Sequence, residues 1–280
     1  MPLKLMYITN SEDVAHIAEE AGVDRIFVDM EYIGKPDRKG GMDTVQSRHT
    51  ADDVRRLAQC LNKAELFVRV NPIHEKTDEY NSSKEEIDEA IEAGADLLML
   101  PYFKTAEEVQ TFVKYVDGRA KTVLLVETPE AAAIAENLVK IPGIDEMFIG
   151  LNDLSLGYGK NFMFELLLDG TVEELCLKFR KGGIPYGFGG IASLGKGMLP
   201  SEYVIKEHYR LGSTCAILSR SFCRTDQVTD LKEIQKIFET ELPKIRQLEE
   251  ECSVHSQYFW KNRQQVETKI RQICECEDAK

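Results

Sequence analysis

Short apolar runs recur along the chain. Each is followed by a polar residue or loop and an amphipathic stretch, and in most units a glycine closes the repeat. The runs are KLMYITN, RIFVDME, LFVRVNP, DLLMLPYF, TVLLVE, EMFIG, IPYGFGG and CAILSRSF. They are continuously apolar and do not alternate, the pattern of strands buried on both faces of a parallel sheet. The stretches between them carry helical spacing. In the first, Val14, Ile17, Ala18 and Ala21 share one face. Helix starts are marked by capping-box spacing at Thr50 with Asp53, Ser83 with Glu86 and Thr105 with Glu108, and by Pro129 directly after Thr128. EMFIG is followed by a polar loop before the next amphipathic stretch, TVEELCLKFRKGG.

Eight such units predict an α/β protein with a single closed (β/α)8 TIM barrel over residues 1–240. A doubly wound open sheet would need fewer strands or a domain break, and no Pro/Gly/Ser-rich linker marks one. Residues 241–280 go beyond what a barrel needs and predict a helical extension. There Phe259, Val266, Ile270 and Ile273 form an apolar stripe with Trp260 at its edge. The stripe suits a neighbouring subunit of a homo-oligomer; its own barrel is the other possible surface.

Composition narrows the partners. The formal charge of −13 repels a phosphate backbone, so nucleic acid is not expected. No apolar run approaches the ~18 residues of a membrane span. The opening MPLKLMYITN lacks a signal-peptide apolar stretch. The seven cysteines are scattered without a CxxC pair, which reads as reduced thiols in a cytoplasmic protein and argues against a zinc site.

A barrel puts its chemistry at the C-terminal ends of the strands. Those ends carry Asn10, Asp29 and Glu31, Arg69 and Asn71, Pro101, Glu127, Asn152 and Asp153, Gly189 and Gly190, and Ser219 and Arg220. Buried carboxylates are costly unless paired or bound to metal. Taken singly, Glu127 suits a helix N-terminus, Asp153 an Asx turn and Arg69 an internal ion pair with Asp29 or Glu31. Taken together, Glu127 and Asp153 end successive strands. Two carboxylates without His or Cys suit Mg2+ or Mn2+. The fork of Arg69 suits a carboxylate or enolate oxygen.

VDRIFVDMEY, LFVRVNP, GADLLMLPYFKTAEEV, LLVET and PGIDEMFIGLNDLS resemble, in order and spacing, the metal-dependent (class II) 2-oxo-acid aldolases. That family (HpcH/HpaI type) is grouped with the citrate lyase β-subunit in the phosphoenolpyruvate/pyruvate-binding barrel superfamily. The resemblance runs roughly from residue 3 to 225. It implies a carbon–carbon lyase acting on a 2-oxo acid through a metal-stabilised pyruvate enolate, with an aldehyde or acyl partner. It puts the metal carboxylates on Glu127 and Asp153 and the substrate arginine on Arg69. The main-chain N–H groups of Gly150, Leu151 and Asn152 would face the substrate carboxylate, with Asp29 and Glu31 beside them.

The chain departs from that pattern at several points. A histidine of the pyruvate aldolases is Tyr32 here, and its acid partner matches Glu92. A glutamine and a proline of the pattern are Leu125 and Leu151. The metal half is kept and the proton-transfer half is altered. Tyr32 is mostly protonated at neutral pH, so it is expected to shape the pocket and not to act as base. Arg48 and His49 of the following loop are candidates to replace the histidine. His49 ranks first as base and an ion-acidified water second, and the loop from Gly34 to His49 is expected to fold over the barrel mouth. His74 is expected to be a loop residue, while His16, His208 and His255 are not expected to be catalytic. GGIASLGKG nearly matches a phosphate-binding loop, but Gly197 stands where Ser or Thr is needed. Two other readings stay open, an acyl-CoA lyase of citrate-lyase type and a non-catalytic barrel that binds a 2-oxo acid or assembles other proteins.

Overall fold

The computed structural model describes residues 1–34, 49–225 and 227–278. Eight parallel strands close into a barrel in chain order. They are β1 (Lys4–Ile8), β2 (Arg25–Asp29), β3 (Glu65–Arg69), β4 (Leu97–Leu100), β5 (Lys121–Val126), β6 (Glu146–Ile149), β7 (Tyr186–Ile191) and β8 (Cys215–Leu218). The helices that follow β1 to β4 are α1 (Glu12–Glu20), α2 (Ala51–Cys60), α3 (Ser83–Glu92) and α4 (Ala106–Val116). After β5 the helix is broken into α5 (Pro129–Ala133) and α6 (Ala135–Leu138). After β6 come α7 (Leu151–Gly157), α8 (Glu165–Leu168) and α9 (Thr171–Lys181). Then follow α10 (Ser201–Leu211), α11 (Leu231–Val254) and α12 (Phe259–Asp278).

The barrel interior holds Met6, Phe27, Phe67, Leu97, Met99, Val123, Leu125, Phe148 and Cys215. A larger apolar layer fills the space between sheet and helices. Alternate residues of each strand feed one or the other, which is why the runs are apolar throughout. Close approach of strands explains Gly187: a Cβ there would lie 2.3 Å from the Cys215 carbonyl oxygen. The β7–β8 register slips between Gly187 and Gly190.

Capping boxes form at Thr50 with Asp53 and Thr105 with Glu108, as the spacing predicts. The third is displaced by one residue, because Ser82 and Glu85 close it and not Ser83 and Glu86. Duplicated Ser and Glu offer the same spacing in two registers. The displacement frees Ser83, whose Oγ accepts the His74 N–H at 2.8 Å.

Beyond the barrel, α11 runs unbroken across residue 240 and buries Ile234, Phe238, Leu242 and Ile245. Arg246 ties it to the Leu3 carbonyl and Asp24, and Glu249 accepts the Leu3 N–H at 2.7 Å. The stripe of α12 packs on this chain's own barrel: Val266 and Ile270 are buried, and Asn262 Nδ2 donates to the Tyr203 carbonyl and Glu207. Trp260 stays 70% exposed. No helix among the described residues is long and apolar enough to cross a membrane.

Candidate active site at the barrel mouth

The C-terminal strand ends bring Arg69 against Asp29, its register partner. The fork is bidentate, with Nε to Oδ1 and Nη2 to Oδ2 both at 2.8 Å. Glu31 Oε2 lies 3.4 Å from Nη1. Asp29 and Glu31 are buried, and the Glu31 N–H donates to Asp29 at 3.2 Å. Burial works against the guanidinium charge, but Asp29, Glu31 and Glu127 outweigh it and push the Arg69 pKa up. The internal ion pair weighed for Arg69 therefore forms. It leaves a cation at the mouth beside a third carboxylate, because Glu127 also acts on it.

Glu127 follows β5 and is buried; its Oε1 accepts the Tyr102 N–H at 3.0 Å. Tyr102 holds φ +48°, a left-handed conformation few non-glycine residues adopt, and so turns its N–H to the carboxylate. Gly150 ends β6 and starts α7. A Cβ there would lie 2.7 Å from the Glu127 Cβ and 2.9 Å from Oε2, so only glycine lets α7 begin against this carboxylate. Asp153 stands in the first turn of that helix, half-buried, within 3.3 Å of Asn152 Nδ2. This corrects the expected polar loop and its Asx turn: GLNDLSLG forms a short helix. Leu151 is buried and Asn152 exposed. The Gly150 N–H, expected to face the substrate carboxylate, instead donates to the Val126 carbonyl at 3.1 Å, whereas the first N–H groups of such a helix have no partner within it.

Two carboxylates that follow adjacent strands, Glu127 directly after β5 and Asp153 in the helix after β6, make an all-oxygen donor pair of the kind that suits a hard divalent ion. Among the described residues, one group of three His, Cys, Asp or Glu side chains has ligand atoms within 4.8 Å of one another: His16, Glu19 and Glu20. It lies on α1 at the other end of the barrel. There Glu19 Oε1 accepts the N–H groups of Asn62, Lys63 and Ala64 just before β3, and Glu20 pairs with Lys63. It is apart from the mouth.

His49 Nδ1 accepts the Asp29 N–H at 3.0 Å, which brings its ring to the end of β2. A neutral ring bonded in this way carries its proton on Nε2. Arg48 and the rest of the loop to which it belongs lie outside the described residues. Tyr32 is 52% exposed. Burial of its hydroxyl, with Glu86 and Tyr80 adding to the effect, pushes its phenol up. Glu92 is exposed at the C-terminal end of α3, away from the mouth. The carboxyl that faces Tyr32 is Glu86, one helix turn into α3. Glu86 accepts Asn71 Nδ2 at 2.7 Å, and Asn71 Oδ1 accepts the N–H groups of Tyr32 and Ile33. Burial pushes the Glu86 carboxyl up to about 7.

Sequence reading missed this Glu86–Asn71 bridge. The signal available was the second Glu of the SSKEE repeat. His208 and His74 have structural surroundings. His208 stacks on Phe188 at 3.9 Å, and burial lowers its pKa to about 3. Both ring nitrogens of His74 face backbone carbonyls, of Pro72 at 2.7 Å and Asn81 at 2.8 Å.

Comparison with known proteins bears on the fold and the family. Three solved structures share the fold. An HpcH/HpaI aldolase/citrate lyase family protein from Burkholderia cenocepacia J2315 is 16% identical with a TM-score of 0.62, covering 84% of this chain and 95% of that one. An HpcH/HpaI aldolase from Desulfitobacterium hafniense DCB-2 is 15% identical with a TM-score of 0.61, over 84% and 93%. A citrate lyase from Burkholderia xenovorans LB400 is 13% identical with a TM-score of 0.56, over 97% and 92%. At such identity they speak for the fold alone. No curated protein matches the sequence. The family model of the HpcH/HpaI aldolase/citrate lyase barrels matches residues 4–166, from β1 through both candidate metal carboxylates, and the chain belongs to that family.

Proposed function

We propose that this barrel is a divalent-metal-dependent carbon–carbon lyase that cleaves or forms a bond at C3 of a 2-oxo acid. The observation that carries this is Glu127 packed against Gly150, at the start of the helix that bears Asp153, with Arg69 and its carboxylates at the same barrel end. Glu127 and Asp153 would hold Mg2+ or Mn2+, which when bound polarises the 2-oxo group as a Lewis acid and so favours the enolate.

The chain's own groups do the rest. Arg69, clamped by Asp29 and Glu31, presents a fixed positive edge to the substrate oxygens, so it stabilises charge without reorganising during the reaction. The N–H groups of Leu151 and Asn152, at the positive end of α7, face the substrate carboxylate. In the cleavage direction the C4 hydroxyl of a 4-hydroxy-2-oxo acid gives its proton to a base. The C3–C4 bond then breaks, its electron pair stays on C3 and C4 leaves as an aldehyde. A proton added to C3 completes pyruvate. His49 stands next to Asp29 for the proton step. To act as base through Nδ1, its ring must release the Asp29 N–H. Tyr32, with its phenol pKa raised, serves as a donor or wall. An acyl partner would use the same enolate with a thioester in place of the aldehyde, as the citrate lyase side of the family name suggests.

The test is Mn2+ binding followed by electron paramagnetic resonance. Glu127→Ala and Asp153→Ala should each abolish tight Mn2+ binding and its further tightening by pyruvate or oxaloacetate. Wild-type affinity in both variants would remove the assignment.

A further inference from the structure

A second cavity, of about 380 Å³, lies behind the rim that carries Asp29 and Glu31. Those two acids turn toward Arg69, whereas Met30 and Tyr32, alternating with them along the chain, line this cavity. His49 lines it too and bonds the Asp29 N–H, so the cavity adjoins the mouth.

Its walls have a consistent chemistry. The Tyr80 ring stands edge-on to Tyr32 at 6.5 Å and to His74 at 5.2 Å, forming an aromatic corner. Four carboxyls, Asp52, Glu79, Glu86 and Glu89, border the same space. Among the described residues that line it there is no Lys or Arg. The nearby Lys76 is engaged with Glu85, outside the lining. Glu86 is held by the neutral amide groups of Asn71. Burial raises its carboxyl, Glu89 adds to the rise and His74 opposes it. An anionic ligand would meet four carboxyls here. A positive group would meet ring faces, which attract cations, and a desolvated carboxyl that has no Lys or Arg partner among the described residues.

We propose that this cavity binds a small organic ammonium ion, held between the Tyr80–Tyr32 corner and Glu86. The ion has two possible sources, the charged tail of the acceptor aldehyde or a separate effector. Only the first rests on the lyase reading given above.

Calorimetric titration with choline tests the site itself. Wild-type protein should show saturable binding, weakened roughly tenfold or more in Tyr80→Leu and in Glu86→Gln, as loss of a desolvated cation contact requires. Propionate should not bind the cavity. Absence of saturable choline binding by the wild type, or equal binding by wild type and both variants, overturns the proposal. Circular dichroism of each variant separates lost binding from lost fold, and Tyr80, in a loop, is the variant least able to disturb the barrel.

The source is read separately, by condensation of pyruvate with betaine aldehyde and with an uncharged aldehyde of equal length. Preference for betaine aldehyde makes the cavity the acceptor's tail site. Choline binding without that preference makes the ion an effector. Exchange of pyruvate methyl protons, followed in parallel, keeps the two readings apart. Exchange without choline binding defeats this inference and leaves the lyase intact, while choline binding without exchange does the opposite.

Discussion

The two ends of this barrel each bury an arginine between carboxylates, yet the two clusters differ in what they leave available. At the N-terminal end of the strands, Arg25 is 1% exposed and gives both Nη atoms to Glu146, at 2.8 and 2.9 Å, while Nε reaches Glu65 at 2.9 Å. Cys215 Sγ donates to the same Glu146 and Phe67 covers the guanidinium. Lys121 completes Glu65. The partners of Arg25 are supplied from within the fold. At the C-terminal end, Arg69 is gripped by Asp29 and less closely by Glu31, with Glu127 and Asp153 beyond. Among the described residues, that end gathers the carboxylates of Asp29, Glu31 and Glu127 about Arg69. A closed cluster holds a barrel together, whereas the carboxylates at the strand ends are where we propose that a divalent cation is held.

The largest effect should come from breaking the closed end. Arg25→Met leaves Glu146 buried without its bidentate partner, and loss of one member of a buried pair typically costs ~3–5 kcal/mol. Urea denaturation should show a loss of that size. A change under ~1 kcal/mol would mean that the cluster does not hold the barrel.

At the open end, substitution should cost function more than fold. Arg69→Lys keeps the charge but loses the planar fork, and should lower kcat/KM for oxaloacetate or 4-hydroxy-2-oxo acids by ~1–3 kcal/mol, the scale of a charged hydrogen bond. Wild-type turnover would sever Arg69 from the chemistry. Gly150→Ala pushes a methyl onto Glu127 and should weaken Mn2+ binding by about tenfold, ~1.4 kcal/mol. Unchanged Mn2+ affinity would show that Glu127 does not need its present place.

The smallest effect concerns Glu86. Its carboxyl titrates higher in the folded chain than in the unfolded one. The folded state therefore favours the protonated form. This stability is present in full below the unfolded value, near the ordinary 4.5, and is lost as pH rises through the folded value, about 7. Glu86→Gln should raise the melting temperature at pH 8 relative to wild type and have little effect at pH 4.5. An equal shift at both values would point to packing and not to charge.

Much of this architecture is legible in the sequence because local rules set it. The eight units follow from continuous apolar runs separated by capped helices, and Thr50 with Asp53 marks a helix start by itself. The polar strand ends Asp29, Arg69 and Glu127 stand out against such runs. What escaped depends on distant partners. Arg25 and Glu146 are 121 residues apart and meet only when the barrel closes. Asn71 and Glu86 meet because the Ser82–Glu85 box fixes the phase of α3, a choice the duplicated serines leave open. The helix at Asp153 escaped because Gly150, Asn152, Ser155 and Gly157 read as a loop, whereas packing of Leu151 and Leu154 holds it helical. The extension reads correctly as helical, but which surface its stripe covers is decided by α10, where Tyr203 and Glu207 receive Asn262.

The account turns on whether the open end activates a 2-oxo acid. The most direct measurement is proton NMR of pyruvate in deuterated water with the protein, with and without Mg2+ or Mn2+. The methyl signal should fade through deuterium exchange only when the ion is present, and should persist with Glu127→Ala. A wild-type protein that leaves the methyl protons unexchanged with either ion, or exchanges them equally with Glu127→Ala, contradicts the account.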